Sequence, residues 1–219
     1  MKIGVIVAMD SEFRLVENLL GGSRGTVGGN EVLLRKCGMG KVNAAIGAVE
    51  FIAGEAPDCI VSTGVAGGLS PELKPMDVVV AEEVVYHDAW YGEGNEFGQV
   101  QGLPARFRTD GTLQEAARAA ADGTFHFGLV ASGDWFVSDN AEADAIRKHF
   151  PEALAVDMES GALAQACCLR GVPFLSIRLI SDASGDDHME EYLNFWKEVP
   201  DRSFRIIRSF LEKIPSKFR

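Results

Sequence analysis

The sequence predicts a layered α/β fold built on a mainly parallel central sheet. Three observations carry that reading. Apolar runs of strand length alternate with helical stretches along the whole chain, as in sheets whose crossovers are helices. At 219 residues and 47% hydrophobic side chains, the chain can bury one large core, so one domain over residues 1–219 is expected. No repeat, low-complexity tract or linker composition divides it.

Ile3 to Ala8 is an apolar run of strand length. Ser11 to Leu20 sets Phe13, Val16, Leu19 and Leu20 on one side of a helix, with Asp10 as candidate N-cap and Gly21-Gly22 as its end. Thr26 to Cys37 reads as a hairpin turning at Gly28-Gly29-Asn30. Lys41 to Gly54 is an Ala-rich helix, Cys59 to Thr63 a short buried strand and Met76 to Val85 another. Tyr86 to Thr109 lacks periodicity and is rich in glycine; loops of that length tend to be functional or mobile. Then come a helix over Leu113 to Ala121, a strand over Thr124 to Ser132, a helix over Asn140 to Phe150 and a strand over Leu154 to Val156. Ser160 to Leu169 is an Ala-rich helix, Phe174 to Asp182 the last strand, and Glu190 to Ile214 largely helical.

The net charge of −11 argues against a nucleic-acid partner, which needs a basic stripe. No apolar run approaches the ~18 residues of a membrane span. The start at Lys2-Ile3-Gly4 lacks a signal-peptide layout, so a cytoplasmic location is expected. Cys37 and Cys59 lie in apolar runs and Cys167-Cys168 are adjacent; buried reduced thiols are expected. Neither the cysteines nor the four histidines have metal-ligand spacing, and no metal or cofactor is expected.

The chemistry concentrates in carboxylates. Val156-Asp157-Met158-Glu159-Ser160 ends one strand and opens a helix, Ser181-Asp182 closes the last strand, and Glu12 follows the first. Open α/β sheets bind ligands at the carboxyl ends of their strands. Carboxylates there suit acid/base work on a leaving group and a water. Arg178 is in phase with Asp182, and a buried arginine wants a carboxylate. Each acid also has a plainer reading: Glu12, Asp157 and Glu159 as acids on helix dipoles, Asp182 as a solvated loop acid.

Cys37-Gly38-Met39-Gly40-Lys41 and Thr63-Gly64-Val65-Ala66-Gly67-Gly68 fit no phosphate-loop pattern. They read as tight turns that bring backbone close to a ligand or a neighbour. Trp135-Phe136-Val137 follows a buried strand, as core packing or as a ring platform for a planar base whose edge meets Val137 backbone. Tyr86-His87-Asp88 suggests a charge relay, but no serine or cysteine sits in a nucleophile elbow.

With these motifs in this order, the chain resembles the nucleoside phosphorylase/nucleosidase family over nearly all its length. It is most similar to the bacterial 5′-methylthioadenosine/S-adenosylhomocysteine nucleosidases. The matching residues include Ala8-Met9 with Glu12, Gly38 to Val42, Thr63 to Gly68, Tyr86-His87-Asp88, Ser132-Gly133-Asp134 with Phe136, Val156 to Glu159, and Arg178 to Asp182. The resemblance implies a three-layer α/β/α domain, a mainly parallel (mixed) sheet, and a homodimer with the 86–107 loop at a shared site. It implies that Asp182 protonates adenine, that Glu12 activates water with Arg178 nearby, and that Met158 and Glu159 hold the ribose. Phe136 would stack on adenine while Val137 backbone reads it. Met9, Val65, Ala66, Gly67, Asp157 and Ser181 would complete the nucleoside site. Met39, Tyr192 and Phe195 are expected around the 5′ substituent, where the Ser184–Asp187 stretch and the start of the last helix would close over it; the alternative is that Phe195 and Trp196 are core residues of that helix.

Departures are Val65 where many members carry serine, Asp157 where glutamate is common, and Ala89-Trp90-Tyr91-Gly92 and Pro104 in the long loop. Hydrolysis of a 5′-thio adenine nucleoside is the leading expectation. The alternatives are phosphorolysis, a futalosine-type nucleosidase and a nucleoside-binding module. Phosphorolysis needs an arginine-rich anion site, and residues 37–68 contain no arginine.

Overall fold

The computed structural model describes residues 1–182, 192–195 and 202–218. The elements run β1 (Lys2–Val7), α1 (Asp10–Leu20), β2 (Arg24–Val27), β3 (Asn30–Lys36), α2 (Lys41–Glu55), β4 (Cys59–Gly68), β5 (Val78–Tyr86), β6 (Phe107–Arg108), α3 (Gly111–Ala120), β7 (Phe125–Ser132), α4 (Asn140–His149), β8 (Ala153–Asp157), α5 (Ser160–Arg170), β9 (Phe174–Asp182) and α6 (Arg202–Lys213). Residues 192–195 are helical as well.

Helices cover both faces of the sheet because β1 alternates between two cores. Ile3, Val5 and Val7 pack with Val16 of α1, Leu113 and Ala117 of α3, and Phe210 and Leu211 of α6. Ile6 packs on the other side with Ala44, Ala48 and Phe51 of α2 and Leu163 and Cys167 of α5. A smaller core joins β7 and β8 to Ala143 and Ile146 of α4. Gly4 serves this arrangement, since a Cβ there would lie 2.7 Å from Ile60 Cδ1.

The sheet is mixed. Parallel pairs form two groups: β3–β1–β4–β9 and β5–β7–β8. The groups run in opposite directions and join twice. β9 pairs antiparallel with β5, and β4 pairs antiparallel with β8 through only Gly67↔Val156 and Gly68↔Ala155. Five strands therefore close into a ring, rather than the open sheet assumed from the alternation. At the second joint the carboxyl ends of β4 and β8 overlap.

Several expectations are corrected. β4 does not stop at Thr63. It continues through the glycine tract to Gly68, with a register shift between Ala66 and Gly67, so that tract is strand and not a turn. The α1 N-cap is Met9 rather than Asp10. The hairpin turn is Gly28-Gly29, with φ of 56° and 81°, the left-handed pair that a two-residue hairpin favours. The long loop contains β6, which pairs with β5. Its Phe97 stacks on His149, ring centroids 3.8 Å apart. Cys59 and Cys167 are buried, but Cys168 is exposed. Trp196 and residues 184–187 lie outside the described residues.

Candidate active site

The overlap of the β4 and β8 ends opens a cavity. Its walls are the β1–α1 junction (Ala8, Met9, Glu12), the bent end of β4 (Val65, Ala66, Gly67), the β8 end (Val156, Asp157, Met158, Glu159) and the β9 end (Ser181, Asp182). Trp135, Phe136 and Val137 after β7, Met39 before α2, and Tyr192 complete it.

Glu12 is the third residue of the α1 first turn, and its carboxylate turns back to cap the helix entrance. Oε2 accepts from the backbone N–H of Ala8 at 3.0 Å and of Met9 at 2.9 Å. Oε1 accepts from the Val65 N–H at 3.0 Å. Burial pushes the carboxyl up from its ordinary value, opposed by those amides and by Arg178. The approach requires Gly64, where a Cβ would lie 2.4 Å from Glu12 Oε1. The contact to Val65 is through backbone, so valine in place of serine preserves it.

Asp182 closes β9 and pairs with Gly67, three residues beyond Gly64 along β4. A Cβ on Gly67 would lie 3.2 Å from its Oδ2. Its Oδ1 accepts from Ser181 Oγ at 2.6 Å, and Ser181 Oγ also donates to Ala66 O at 3.3 Å. Strand rise sets Gly64 and Gly67 roughly 10 Å apart, so the two carboxyls flank a space of nucleoside length.

Glu159 lies at the entrance to α5, where its Oε1 accepts the Gly40 N–H at 2.9 Å. Burial and the neighbouring Asp157 charge push its carboxyl up to about 7, against Arg178 and the Gly40 amide. Behind it, Arg178 Nε donates to Asp157 Oδ2 at 2.6 Å. Arg178 Nη2 donates to Ser62 Oγ at 2.8 Å and to Ser160 Oγ at 3.0 Å. Ser160 Oγ also donates to Asp157 Oδ2 and lies 2.7 Å from Ser176 Oγ. Burial would raise the Asp157 carboxyl, but Arg178 and Ser160 outweigh it and hold the group below its ordinary value.

The aromatic wall is held from behind. Trp135 Nε1 donates to Glu142 Oε1 at 3.1 Å, and Glu142 Oε2 accepts the Ser138 N–H at 2.7 Å. Phe136 meets Tyr192 edge-on at 5.7 Å between centroids, and the Tyr192 hydroxyl is 3.9 Å from Met9 Sδ.

Most of the expected site residues therefore meet in one cavity. Two do not line it. Arg178 is buried behind the wall because Asp157 and two serines occupy its guanidinium. Phe195 packs into the main core, since the helical turn that presents Tyr192 to the cavity faces Phe195 inward. Among the described residues, none from the 86–107 loop lines the cavity. Trp135 lines the cavity beside Phe136, as the ring-platform reading allowed; Ala8, Val156 and the Gly40 N–H were missed as site groups, as were the hydroxyls of Ser62, Ser160 and Ser176. A signal for Ser176 was available: it stands two residues before Arg178 on the same strand, in phase with it.

Comparison with known proteins places this geometry. The family model described as phosphorylase superfamily matches residues 2–212. The 5′-methylthioadenosine/S-adenosylhomocysteine nucleosidase of Geobacillus kaustophilus is 38% identical, covering 99% of both chains. The nucleosidase of the same name from S. pneumoniae, solved with the transition-state inhibitor MT-ImmA, superposes with a TM-score of 0.91 at 33% identity, over 98% of this chain and 100% of that one. The Neisseria meningitidis enzyme in complex with methylthio-immucillin-A gives 0.90 at 36% identity, over 96% and 98%.

Proposed function

The chain belongs to the phosphorylase superfamily, and we propose that it hydrolyses the N-glycosidic bond of 5′-methylthioadenosine, S-adenosylhomocysteine or both, releasing adenine. The observation that carries this reading is the pair Glu12 and Asp182, set at opposite ends of the same four-residue stretch of β4 in a cavity with an aromatic wall. Glu12 takes a proton from water as the water oxygen bonds to C1′. The C1′–N bond breaks, and its electrons pass to the purine, which takes a proton from Asp182 at a ring nitrogen. Glu159 accepts hydroxyls of the ribose, and its negative charge favours the cation-like sugar of the transition state. A raised carboxyl pKa makes Glu12 a stronger base than an ordinary surface glutamate. Phe136 offers a face for the adenine ring, and the apolar Met9 and Met39 suit a 5′-thio substituent.

Hydrolysis is favoured over phosphorolysis because the cavity wall, among the described residues, includes no lysine or arginine. The nearby Arg178 is committed to Asp157. The test follows adenine release from methylthioadenosine, S-adenosylhomocysteine and adenosine with and without phosphate. The expected product is free 5-methylthioribose at a phosphate-independent rate. Methylthioadenosine should exceed adenosine in kcat/KM by roughly ten- to a few-hundred-fold. A sugar 1-phosphate as main product would refute the reading.

A homodimer in the cytoplasm fits the same function. Trp90 and Tyr91 of the long loop are exposed, and so are Met39, just before α2, and Val42 and Ile46, one turn apart on α2. Among the described residues no helix is long and apolar enough to cross a membrane.

A further inference from the structure

Three motifs that the reaction above does not use come together in one place. Lys41 Nζ donates to Asp88 Oδ2 at 2.6 Å. The Asp134 N–H donates to the same oxygen at 2.8 Å. Asp134 Oδ1 in turn accepts the Lys41 N–H at 2.7 Å. These three bonds close a ring between the start of α2, the segment after β5 and the segment after β7. Both flanks of the ring are walls of the cavity. Gly40, next to Lys41, gives its N–H to Glu159, and Trp135 and Phe136 follow Asp134 directly.

We propose that Lys41, Asp88 and Asp134 form a clasp that fixes the ribose-side carboxylate Glu159 and the aromatic base-side wall in one mutual geometry, with Asp88 as its central positioning residue. The inference rests on the nucleosidase reading for what the two walls hold, but not for the clasp itself.

Local stereochemistry is fitted to the ring. Gly40 has φ of +86°, and a Cβ there would lie 2.9 Å from Asp134 Oδ1. A Cβ on Gly133 would lie 2.7 Å from Asp88 Cγ and from the His87 ring. Gly40 has no side chain to cap α2, and Asp134 supplies the carboxylate from another element, where the helix dipole favours it. The Lys41 and Asp88 side chains are 28% and 22% exposed, so the pair is partly shielded from water. The Lys41 ammonium also lies 5.5 Å from the Tyr86 ring centre. The Gly40-Lys41, His87-Asp88 and Gly133-Asp134 motifs, the second of which suggested a charge relay, serve instead to set the distance between two subsites.

The test uses Asp88→Ala, Lys41→Met and the double variant of the full-length protein. Opening the clasp frees the Gly40 amide and the Trp135–Val137 segment, so ground-state and transition-state binding fall together. The nucleoside KM should rise ~10–100-fold in Asp88→Ala with kcat within about threefold of wild type. The double variant should be no worse than Asp88→Ala, because the ring is already open. Glu159 faces Asp157, Glu12, Arg178 and the Cys37 thiol as well as the Gly40 N–H. Loss of that N–H should move the acid limb of kcat/KM to higher pH, which mere loosening of the fold would not do. Hydrogen exchange read on peptides covering residues 38–44 and 133–137 should accelerate in both single variants, whatever the reaction proves to be. If Asp88→Ala does not fold, Lys41→Met carries the same readouts, since it truncates only a partly exposed side chain. Unchanged exchange in those peptides, strictly additive effects, or a KM within about twofold of wild type overturns the clasp. A wild type that releases no adenine overturns the nucleosidase reading instead and leaves the exchange measurement to decide the clasp.

Discussion

Arg178→Met is the substitution whose consequence the structure sets most sharply. The Arg178 and Asp157 side chains are 3% and 1% exposed and meet at 2.6 Å, so solvent screening does not discount the pair. Removing one partner leaves a carboxylate inside the core, and breaking a buried pair costs about 3–5 kcal/mol. For a chain of this size that corresponds to a fall in Tm of about 6–20 °C. The pH dependence has a definite sign. In the wild type Asp157 is held below its ordinary value. Its stabilising contribution is therefore present above the unfolded pKa and lost as pH falls through the folded one. In the variant, burial acts without Arg178 and raises the carboxyl above its ordinary value. The penalty is then present at neutral pH and fades as pH falls toward about 4, the unfolded carboxylate value. Thermal and denaturant unfolding of wild type, Arg178→Met and Arg178→Met/Asp157→Leu measure this across pH. The double variant, with no charge left to bury, should recover at least half of the loss. A loss below about 1 kcal/mol, the range of surface pairs, would refute the buried-pair reasoning. A gap between variant and wild type that widens on acidification would refute it equally.

Glu12→Gln should lower kcat by ~10²–10⁴-fold while adenine still binds by calorimetry; a variant retaining more than about a third of wild-type kcat sinks the base assignment. Asp182→Asn should be at least as damaging, because the amide cannot deliver a proton to the base; normal turnover would assign that proton to another group. With its carboxyl near 7, Glu159 accepts ribose hydroxyls best when ionised. The nucleoside KM should therefore rise as pH falls below about 7, by up to about tenfold per unit, and Glu159→Gln should abolish that dependence. Sedimentation at micromolar concentration should show a dimer that Trp90→Ala weakens, and a fully active monomer would refute the shared interface.

The legible part of this protein was the part set by local pattern. β9 has the expected bounds because Phe174 to Ile180 is a mostly apolar run of strand length in which Ser176 and Arg178 share one phase with Asp182 at its end. The α1 face, the α4 helix and the strand over residues 125–132 follow from side-chain periodicity in the same way. The ring closure was not legible, because nothing in a strand's own sequence states whether its neighbour runs with it or against it. Arg178 was expected near Glu12, and its Nη1 does crowd the Gly64 Cβ position together with Glu12 Oε1, but its commitment to Asp157 was not read, and Phe195 was expected beside the substrate. Both positions are decided by partners distant in sequence: Asp157 with Ser62 for the first, the α1–α6 core for the second.

The glycine tract of β4 is the most instructive miss. Glycine inside a strand pattern ordinarily marks a bulge, a turn or close backbone approach, and Thr63 to Gly68 was read as a tight turn that brings backbone close to a ligand or a neighbour, of which the close approach holds and the turn does not. The structure shows close approach, repeated along one strand. Gly64 leaves room for Glu12, and Gly67 for Asp182. The register shift between Ala66 and Gly67 bends the strand end toward β8, which brings Asp157 and Glu159 to the same space. The glycines are thus consequences of the carboxylates. A strand that passes this close to two buried carboxyls has no room for a side chain at Gly64 and little at Gly67. This is why the four acids, each ordinary when taken alone at a helix or strand end, come together in one cavity only when the glycines between them are counted.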